Sequence, residues 1–241
     1  RVNSGWDFAH FPGTTALNLK PEELELPATM KYGRTFNDAR LVGGGTVNGH
    51  NSAYAFELRD PVNPDFTALK SYHLAGNLIV ALGTDIKNKQ DNVDTDTTLF
   101  QNYLAAEGPG QPAKVFDGKN AVNLTDGNGN AWHVPAGQQL IVTRDMQQGP
   151  NDRGDAVGRG YFEKAILRHG RAPQDGRYEY AVRINAAPAE IAEFKSGKLP
   201  YQVLRADGEV HAVYFPGEQL FSAMVVKPGV ELPGPTPVRS M

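Results

Sequence analysis

The stretch at residues 78–101, LIVALGTDIKNKQDNVDTDTTLFQ, decides the predicted fold. It opens with a short apolar run, which is typical of a strand buried on both faces. Residues 87–96 are polar except for Val93, and strand-forming residues return at 97–100. The pattern predicts a hairpin whose long acidic loop projects from a sheet, where proteins often place functional groups. The loop carries three aspartates: Asp91, Asp94 and Asp96. A solvated loop without a function is the alternative interpretation.

Short strand patterns separated by turn signals continue along the chain. Residues 52–58 alternate, so that Tyr54, Phe56 and Leu58 share one face of a half-buried strand. Residues 66–73 are expected to pair with 78–86 through a turn at Gly76-Asn77. Further strands are expected at residues 16–19, 114–116, 121–124, 131–134, 139–143, 161–168, 178–185, 201–206 and 210–215. Many short strands at this spacing predict an antiparallel sandwich or barrel.

Two segments depart from the strand pattern. Residues 187–195 are predicted to form a helix, with Pro188 early and Glu190 in the first turn. Residues 227–241 contain four prolines and cannot form a central strand. We therefore predict one β-sandwich domain at residues 1–226 and an extended tail or linker at residues 227–241.

The composition excludes several classes of protein. The net charge of −3 argues against nucleic acid as the main partner, because phosphate binding needs a basic face. The chain has no cysteine, so it has neither disulfides nor a thiolate zinc site. No apolar run approaches the roughly 20 residues of a membrane-spanning helix.

The sequence lacks the common motifs of metal binding and catalysis. The six histidines show no His-x-x-x-His spacing, so no metal is expected. Asp126, Asn128 and Asn130 have the alternating oxygens of a calcium loop but lack its closing acid, so a hairpin turn is favoured. No Gly-x-Ser-x-Gly elbow is present. Three histidines lie in strand patterns and are expected to be structural: His73, His133 and His211.

Six segments together carry a resemblance to a known family. They are Trp6 with the PGTT of residues 12–15, YAFEL at 54–58, DFTALKS at 65–71, TTLFQ at 97–101, PQDGRYEY at 173–180, and YQVLR at 201–205 with Val210-His211. In this order they resemble the chondroitin and hyaluronan lyases of polysaccharide lyase family eight, and closest the chondroitinase ABC type.

The resemblance implies a fold and a reaction. The fold is all-β, an antiparallel β-supersandwich (galactose mutarotase-like) with at most one or two short helices. In the family this sandwich stands between an N-terminal helical toroid and a smaller C-terminal β-domain, and the chain resembles neither flank. The reaction is β-elimination at a uronic acid, in which a base removes the C5 proton and an acid protonates the leaving oxygen. No cofactor is implied.

The resemblance also implies the site residues. The family's base and acid lie in the toroid, and the sandwich supplies an arginine and a glutamate. The arginine falls at or next to His10, which offers one contact and is ordinarily charged only below about pH 6.5. The glutamate falls on Asp96, which is shorter by roughly 1.5 Å. We predict that His10 and Asp96 are catalytic and that these two changes either retune the site or weaken it. A rim histidine without a catalytic role is the alternative for His10. Predicted substrate-binding residues are Trp6, His50 and Gln101.

We therefore predict the sandwich portion of a polysaccharide lyase that cleaves uronic-acid-containing, glycosaminoglycan-type polymers and is inactive as an isolated segment. Its expected partners are an acidic polysaccharide and the two flanking domains, without nucleic acid or membrane, at a secreted or periplasmic bacterial location. Because the motif at residues 6–15 stands at the very start, we expect a piece of a longer protein. The alternatives are a non-catalytic carbohydrate-binding or scaffolding sandwich, a sugar epimerase, and an independent site at His50 and Tyr54.

Overall fold

The computed structural model describes residues 5–20, 23, 38–150 and 156–234. Within these residues, fifteen strands and one α-helix form the domain. The strands are β1 (Thr15–Leu17), β2 (Val42–Val47), β3 (Asn51–Arg59), β4 (Thr67–Ala75), β5 (Leu78–Lys87), β6 (Asp94–Ala105), β7 (Gln111–Phe116), β8 (Val122–Thr125), β9 (Ala131–Val134), β10 (Gln139–Pro150), β11 (Val157–Arg171), β12 (Gly176–Arg183), β13 (Gln202–Ala206), β14 (Val210–Phe215) and β15 (Leu220–Val225). The helix is α1 (Pro188–Ser196), and a 3-10 turn spans Pro216–Glu218.

Two antiparallel sheets enclose the main core. One has five strands in the order β1-β6-β11-β10-β7, and the other has seven in the order β2-β3-β4-β5-β12-β9-β8. Their inner faces meet through large buried side chains, including Phe100, Leu140, Tyr178 and Tyr180. The predicted all-β, antiparallel sandwich is confirmed.

The hairpin predicted at residues 78–101 is wrong. β5 pairs with β4 and β12 in the seven-stranded sheet, whereas β6 pairs with β1 and β11 in the five-stranded sheet. Residues 88–93 therefore cross from one sheet to the other, held by the bond from Asn88 Nδ2 to Thr95 Oγ1 (2.7 Å). Thr95 and Asp96 lie inside β6 and are buried rather than at a projecting tip.

The predicted pairing of residues 66–73 with 78–86 is confirmed. β4 and β5 form the expected hairpin around Gly76. β2 and β3 pair through a turn in which Asn48 and Gly49 both have positive φ, the conformation that an Asn-Gly pair adopts readily. On β3, however, Tyr54 is 44% exposed, so its predicted apolar face is only partly covered.

A third sheet, β13-β14-β15, covers the opposite face of the seven-stranded sheet together with α1. The predicted helix is confirmed: Glu190 accepts a hydrogen bond from the Ala187 amide at its N-terminus, and Gly197 closes it with a left-handed conformation. β15 was not among the sequence-predicted strands. The domain boundary at residue 226 stays a prediction, and residues 235–241 of the tail lie outside the described residues.

Candidate functional site

A cluster of charged side chains lies on the outer face of the five-stranded sheet. Leu167 of β11 points into the core, so its neighbour Arg168 points away from the core. Arg168 stands directly opposite Asp96 of β6 in the antiparallel register. Its Nε and Nη2 donate to the two carboxylate oxygens of Asp96 at 3.0 and 3.1 Å. This paired geometry is the strongest form of an arginine–carboxylate contact.

The segment before β1 covers this face and brings His10 against Asp96. The Nε2 atom of His10 is 3.5 Å from Asp96 Oδ2, and its Nδ1 is 2.8 Å from Asp7 Oδ2. His10 is 2% exposed and Asp96 is 1% exposed. The two residues that were predicted as catalytic are therefore in contact, but both are buried between the segment and the sheet.

Both ring nitrogens of His10 face carboxylates, so its charged form is favoured. Burial alone would lower the pKa of His10, but the hydrogen bonds to Asp7 and Asp96 outweigh that effect and raise it. Burial would raise the pKa of Asp96, yet its bonds to His10 and Arg168 hold that pKa below the usual value. From the sequence alone, His10 is expected to be largely uncharged near pH 7. Its two carboxylate partners instead favour the charged form.

Sequence reasoning missed three charged partners of this pair. Lys164 donates to Asp7 Oδ2 at 2.6 Å, and Arg168 also reaches Asp94 Oδ2 at 3.3 Å. The Arg168 and Lys164 side chains are 25% and 15% exposed, so these two cations form the accessible rim of the buried pair. These residues were hard to identify from the sequence. The pairing of Arg168 with Asp96 depends on the register between two strands, and the two residues are 72 positions apart.

Gln101 fixes the covering segment from below. Its Nε2 donates to the carbonyl oxygens of Asp7 (3.1 Å) and His10 (2.8 Å). Its Oε1 accepts from the Asp7 amide (2.8 Å) and from Gln147 Nε2 (2.9 Å). These bonds use both hydrogens and both lone pairs of the amide, so Gln101 is saturated within the protein. Its predicted role in substrate binding stays a prediction that this geometry does not favour.

Trp6 and His50, the other predicted substrate-binding residues, are separated in the fold. Trp6 lies beside the cluster, packed 5.7 Å from Phe11 and 6.1 Å from Phe162 between ring centroids. Its indole Nε1 has no hydrogen-bond partner among the described residues. His50 is exposed in the turn between β2 and β3, at the edge of the other sheet. Trp6 therefore adjoins the candidate site, and the fold does not bring His50 to it.

The loop that follows His10 is anchored to both sheets. The Gly13 amide donates to the Thr98 carbonyl of β6 at 2.8 Å. The Gly13 carbonyl accepts from Lys70 Nζ at 2.6 Å and from the Tyr72 hydroxyl at 2.7 Å, both on β4. Lys70 is 1% exposed, and burial lowers its pKa to about 7. The position of His10 is therefore coupled to a buried lysine on the neighbouring sheet.

The remaining histidines have hydrogen-bond partners that explain their burial. His73 and His211 share the hydroxyl of Ser71, at 3.0 and 2.7 Å, between the third sheet and the seven-stranded sheet. His133 contacts Asn123 Oδ1 at 2.7 Å. Their expected structural role agrees with these contacts.

The calcium-like spacing at residues 126–130 forms a hairpin turn. Asp126 accepts bonds from the backbone of Asn128 and Asn130, from Asn130 Nδ2 and from Trp132 Nε1. Its carboxylate is therefore occupied by protein donors. Across the described part of the chain, no group of three or more acidic or histidine side chains is placed to hold a metal ion. Among the same residues, no helix has the length and apolarity needed to cross a membrane.

The fold and the ionic cluster define an antiparallel super-sandwich that presents one polar face beneath its N-terminal segment. Residues 2–195 match the family described as polysaccharide lyase family 8, super-sandwich domain. The chain therefore belongs to polysaccharide lyase family 8, as the sequence resemblance predicted.

Characterised relatives support the same membership. The chain is 31% identical over 231 residues to the chondroitin sulfate ABC exolyase of Proteus vulgaris, covering 88% of this chain and 22% of that protein. It is 29% identical over 242 residues to the chondroitin sulfate ABC exolyase of Bacteroides thetaiotaomicron, covering 95% and 23%. The chain thus spans less than a quarter of the length of these relatives.

A solved structure has the same fold. The chondroitin AC lyase of Streptomyces coelicolor A3, in complex with chondroitin sulphate, superposes with a TM-score of 0.76 and 26% identity. The superposition covers 94% of this chain and 30% of that enzyme. The sandwich is therefore one portion of a larger architecture in this relative.

Proposed function

We propose that this chain forms the β-sandwich side of a lyase that cleaves uronic-acid-containing glycosaminoglycans, such as chondroitin or hyaluronan, by β-elimination. The observation that carries the proposal is family membership over residues 2–195, with characterised relatives that are named as chondroitin lyases. The base and the acid are expected on a helical toroid domain outside these residues. The sandwich supplies the positive charge that makes abstraction of the C5 proton tolerable, because an enolate-like carboxylate needs such a counter-charge.

We propose that the His10–Asp96 pair supports this charge from beneath the surface by holding Arg168 in place. Both residues are buried, so as placed here they position Arg168 rather than touch a polymer. Arg168 uses Nε and Nη2 on Asp96 and Nη1 on Asp94, and a guanidinium has five N–H donors. Two donors remain on this side chain, which is 25% exposed, and they suit a uronate carboxylate. The ion pairs hold the guanidinium still, which is the preorganisation that electrostatic catalysis requires.

The test uses the full-length natural protein that contains these residues. Incubation with chondroitin or hyaluronan is expected to raise ultraviolet absorbance, because the new C4–C5 double bond is conjugated with the carboxylate. Arg168→Gln is expected to lower kcat by about 100-fold with a smaller change in KM, since removal of one transition-state donor costs that much in comparable sites. Arg177→Gln, on an arginine that pairs only locally with Asp175, is the matched control. Absence of unsaturated product from every uronate polymer would reject the proposal.

One observation favours a second candidate, a non-catalytic sandwich that binds or displays carbohydrate. His10 and Asp96 are both nearly inaccessible, as is usual for side chains that serve only to hold a segment in place. Under this alternative the full-length protein would bind oligosaccharides without turnover, and Arg168→Gln would leave that binding unchanged.

We further propose that the protein acts outside the cytoplasm, as a secreted or periplasmic bacterial protein. The physical reason is that a charged polymer does not cross a lipid bilayer, so an enzyme acting on it has to meet it outside. Fractionation of the producing cells, followed by immunodetection, tests this location. Detection only in the cytoplasmic fraction would contradict it.

A further inference from the structure

A second polar cavity lies apart from the His10 cluster, where the edge strands β7 and β8 of the two sheets approach each other. Its volume is about 330 Å³. This volume is near the lower end of the range for small-ligand sites, about 300–1,000 Å³. Residues of β6, β10 and β11 complete its lining. None of the five residues predicted from the sequence for the site lines this cavity.

One wall of the cavity carries two cations and a single carboxylate. Lys114 of β7 and Arg144 of β10 line it together with Glu163 of β11. The Lys114 side chain is exposed, and that of Arg144 is 42% exposed. The lining therefore carries a net positive charge although the whole chain carries −3. An anion is favoured there over a cation or a neutral molecule.

Arg144 is held in place by a buried partner. Glu163 is 2% exposed, and its Oε2 accepts from Arg144 Nε at 3.0 Å and from Nη2 at 2.8 Å. The other oxygen of Glu163 accepts from Asn102 Nδ2 and from the Gly127 amide. Because Asn102 and Gly127 fix Glu163 and Glu163 holds Arg144 through two bonds, Arg144 loses little further freedom when it binds a ligand. Preorganisation of this kind distinguishes a binding group from a mobile surface charge.

Apolar side chains beside these charges suit the apolar face of a sugar ring. Phe116, Val122, Leu124 and Val142 are all partly buried and line the cavity beside Phe100. Gln111 also lines the cavity and offers an uncharged hydrogen-bonding group for a sugar hydroxyl. Apolar side chains, one hydroxyl partner and two cations match one acidic disaccharide unit better than a purely aliphatic acid.

We propose that this cavity is a secondary binding site for an acidic disaccharide, with its carboxylate or sulfate at Lys114 and Arg144. The anion site rests on the cavity itself, whereas the choice of a sugar rests on the proposed function. The site would hold a segment of polymer away from the reaction centre, so that a long chain stays attached between cleavage events.

The experiment titrates the isolated chain with saturated disaccharides and follows its backbone amides by NMR. A hyaluronan disaccharide carries only a carboxylate, a chondroitin 4-sulfate disaccharide carries a carboxylate and a sulfate, and cellobiose is neutral. We expect both acidic sugars to shift the amides of Lys114, Phe116 and Thr125, and cellobiose to shift none. Tighter binding of the sulfated sugar would identify sulfate as the preferred anion.

Three variants separate the site from non-specific attraction. Lys114→Gln is expected to weaken binding about fivefold, the effect of about 1 kcal/mol for one exposed charge. Val122→Trp, at a partly buried position on the lining, is expected to abolish binding by filling the cavity. Lys119→Gln, on an 81% exposed lysine beyond the end of β7, is the control and should leave affinity unchanged.

Three results would overturn the inference: no binding of either acidic sugar, equal losses in Lys114→Gln and Lys119→Gln, or no binding by the full-length protein. The readout needs no turnover, so its outcome is independent of the lyase assay. Binding that depends on Lys114 in an inactive protein would retain this site and reject the proposed reaction. Turnover in a protein that lacks such binding would reject this site and retain the proposed reaction.

Discussion

Lys70 provides a test of the energetic coupling between the two sheets. Its ammonium is 1% exposed, donates to the Gly13 carbonyl, and lies 5.7 and 5.8 Å from the ring centroids of Phe56 and Tyr178. Burial lowers its pKa from 10.5 to about 7. Because one pKa unit corresponds to about 1.4 kcal/mol, the charged lysine costs about 5 kcal/mol of stability near pH 6.

The sign of the pH dependence follows from proton binding. Between the folded pKa near 7 and the unfolded value of 10.5, the unfolded chain binds more protons, so stability rises with pH across this window. Near pH 9 the remaining cost is about 2 kcal/mol, which is about 2.5 kcal/mol less than near pH 6. This pKa already contains the contacts of the charged ammonium, so only the hydrogen bond that the amine keeps in either protonation state, about 1 kcal/mol, offsets the cost relative to an apolar residue.

Lys70→Met keeps the length of the side chain and removes its charge. We expect the variant to be about 4 kcal/mol more stable than the natural protein near pH 6 and about 1 kcal/mol more stable near pH 9. Urea unfolding at both pH values, followed by tryptophan fluorescence, gives the two free energies. Lys87→Met, on an exposed lysine of β5, is the control for a general effect of charge.

A difference between Lys70→Met and the natural protein that does not change between these pH values would refute the reasoning. It would mean that the Lys70 ammonium is solvated, and hence that the loop carrying His10 does not close over it as described.

Three further outcomes are expected from the described contacts. Asp96→Asn should lower the free energy of unfolding by about 3 kcal/mol, because it removes the charged partner that the buried His10 shares with the partly exposed Arg168; denaturant titration measures it, and a loss below about 0.5 kcal/mol would contradict the pairing. Burial lowers the pKa of His73 to about 3 and that of His211 to about 4, so the unfolded chain binds more protons below about pH 6.5 and stability should fall as the pH drops from there toward 4. An unfolding midpoint that is flat across this window would show that these rings are accessible. Gly83→Ala should destabilise the sandwich by about 1–3 kcal/mol, because its new methyl group would overlap the ring of Tyr178, and an unchanged melting temperature would place that ring elsewhere.

The sequence predicted the elements well because their signals are local. The alternation around β3, the apolar run of β5 and the capping of α1 by Glu190 each depend on a few neighbouring residues. The same local reasoning failed for β5 and β6, which are adjacent in sequence but lie in different sheets. A strand that is buried on both faces can pair with any compatible neighbour, so periodicity does not identify its partner.

The candidate site was predictable only in part for a related reason. The family resemblance identified His10 and Asp96, and the fold brings them together. Arg168 and Lys164 belong to a strand whose register with β6 is interrupted by bulges, so their alignment with Asp96 and Asp7 could not be read from spacing. Burial of the pair was missed because a short segment without strand or helix periodicity gives no sign that it will lie over a sheet.

The wide separation of paired strands has a consequence for how the domain forms during synthesis. The partner of Asp96, Arg168, is synthesised 72 residues later, and His211, a partner of Ser71, is synthesised 140 residues later. Until the later strands leave the ribosome, β5 and β6 each have an unpaired edge and exposed apolar faces, which is the condition under which nascent chains associate wrongly. Production of this protein should therefore depend on slow translation or on chaperones more strongly than its modest size suggests.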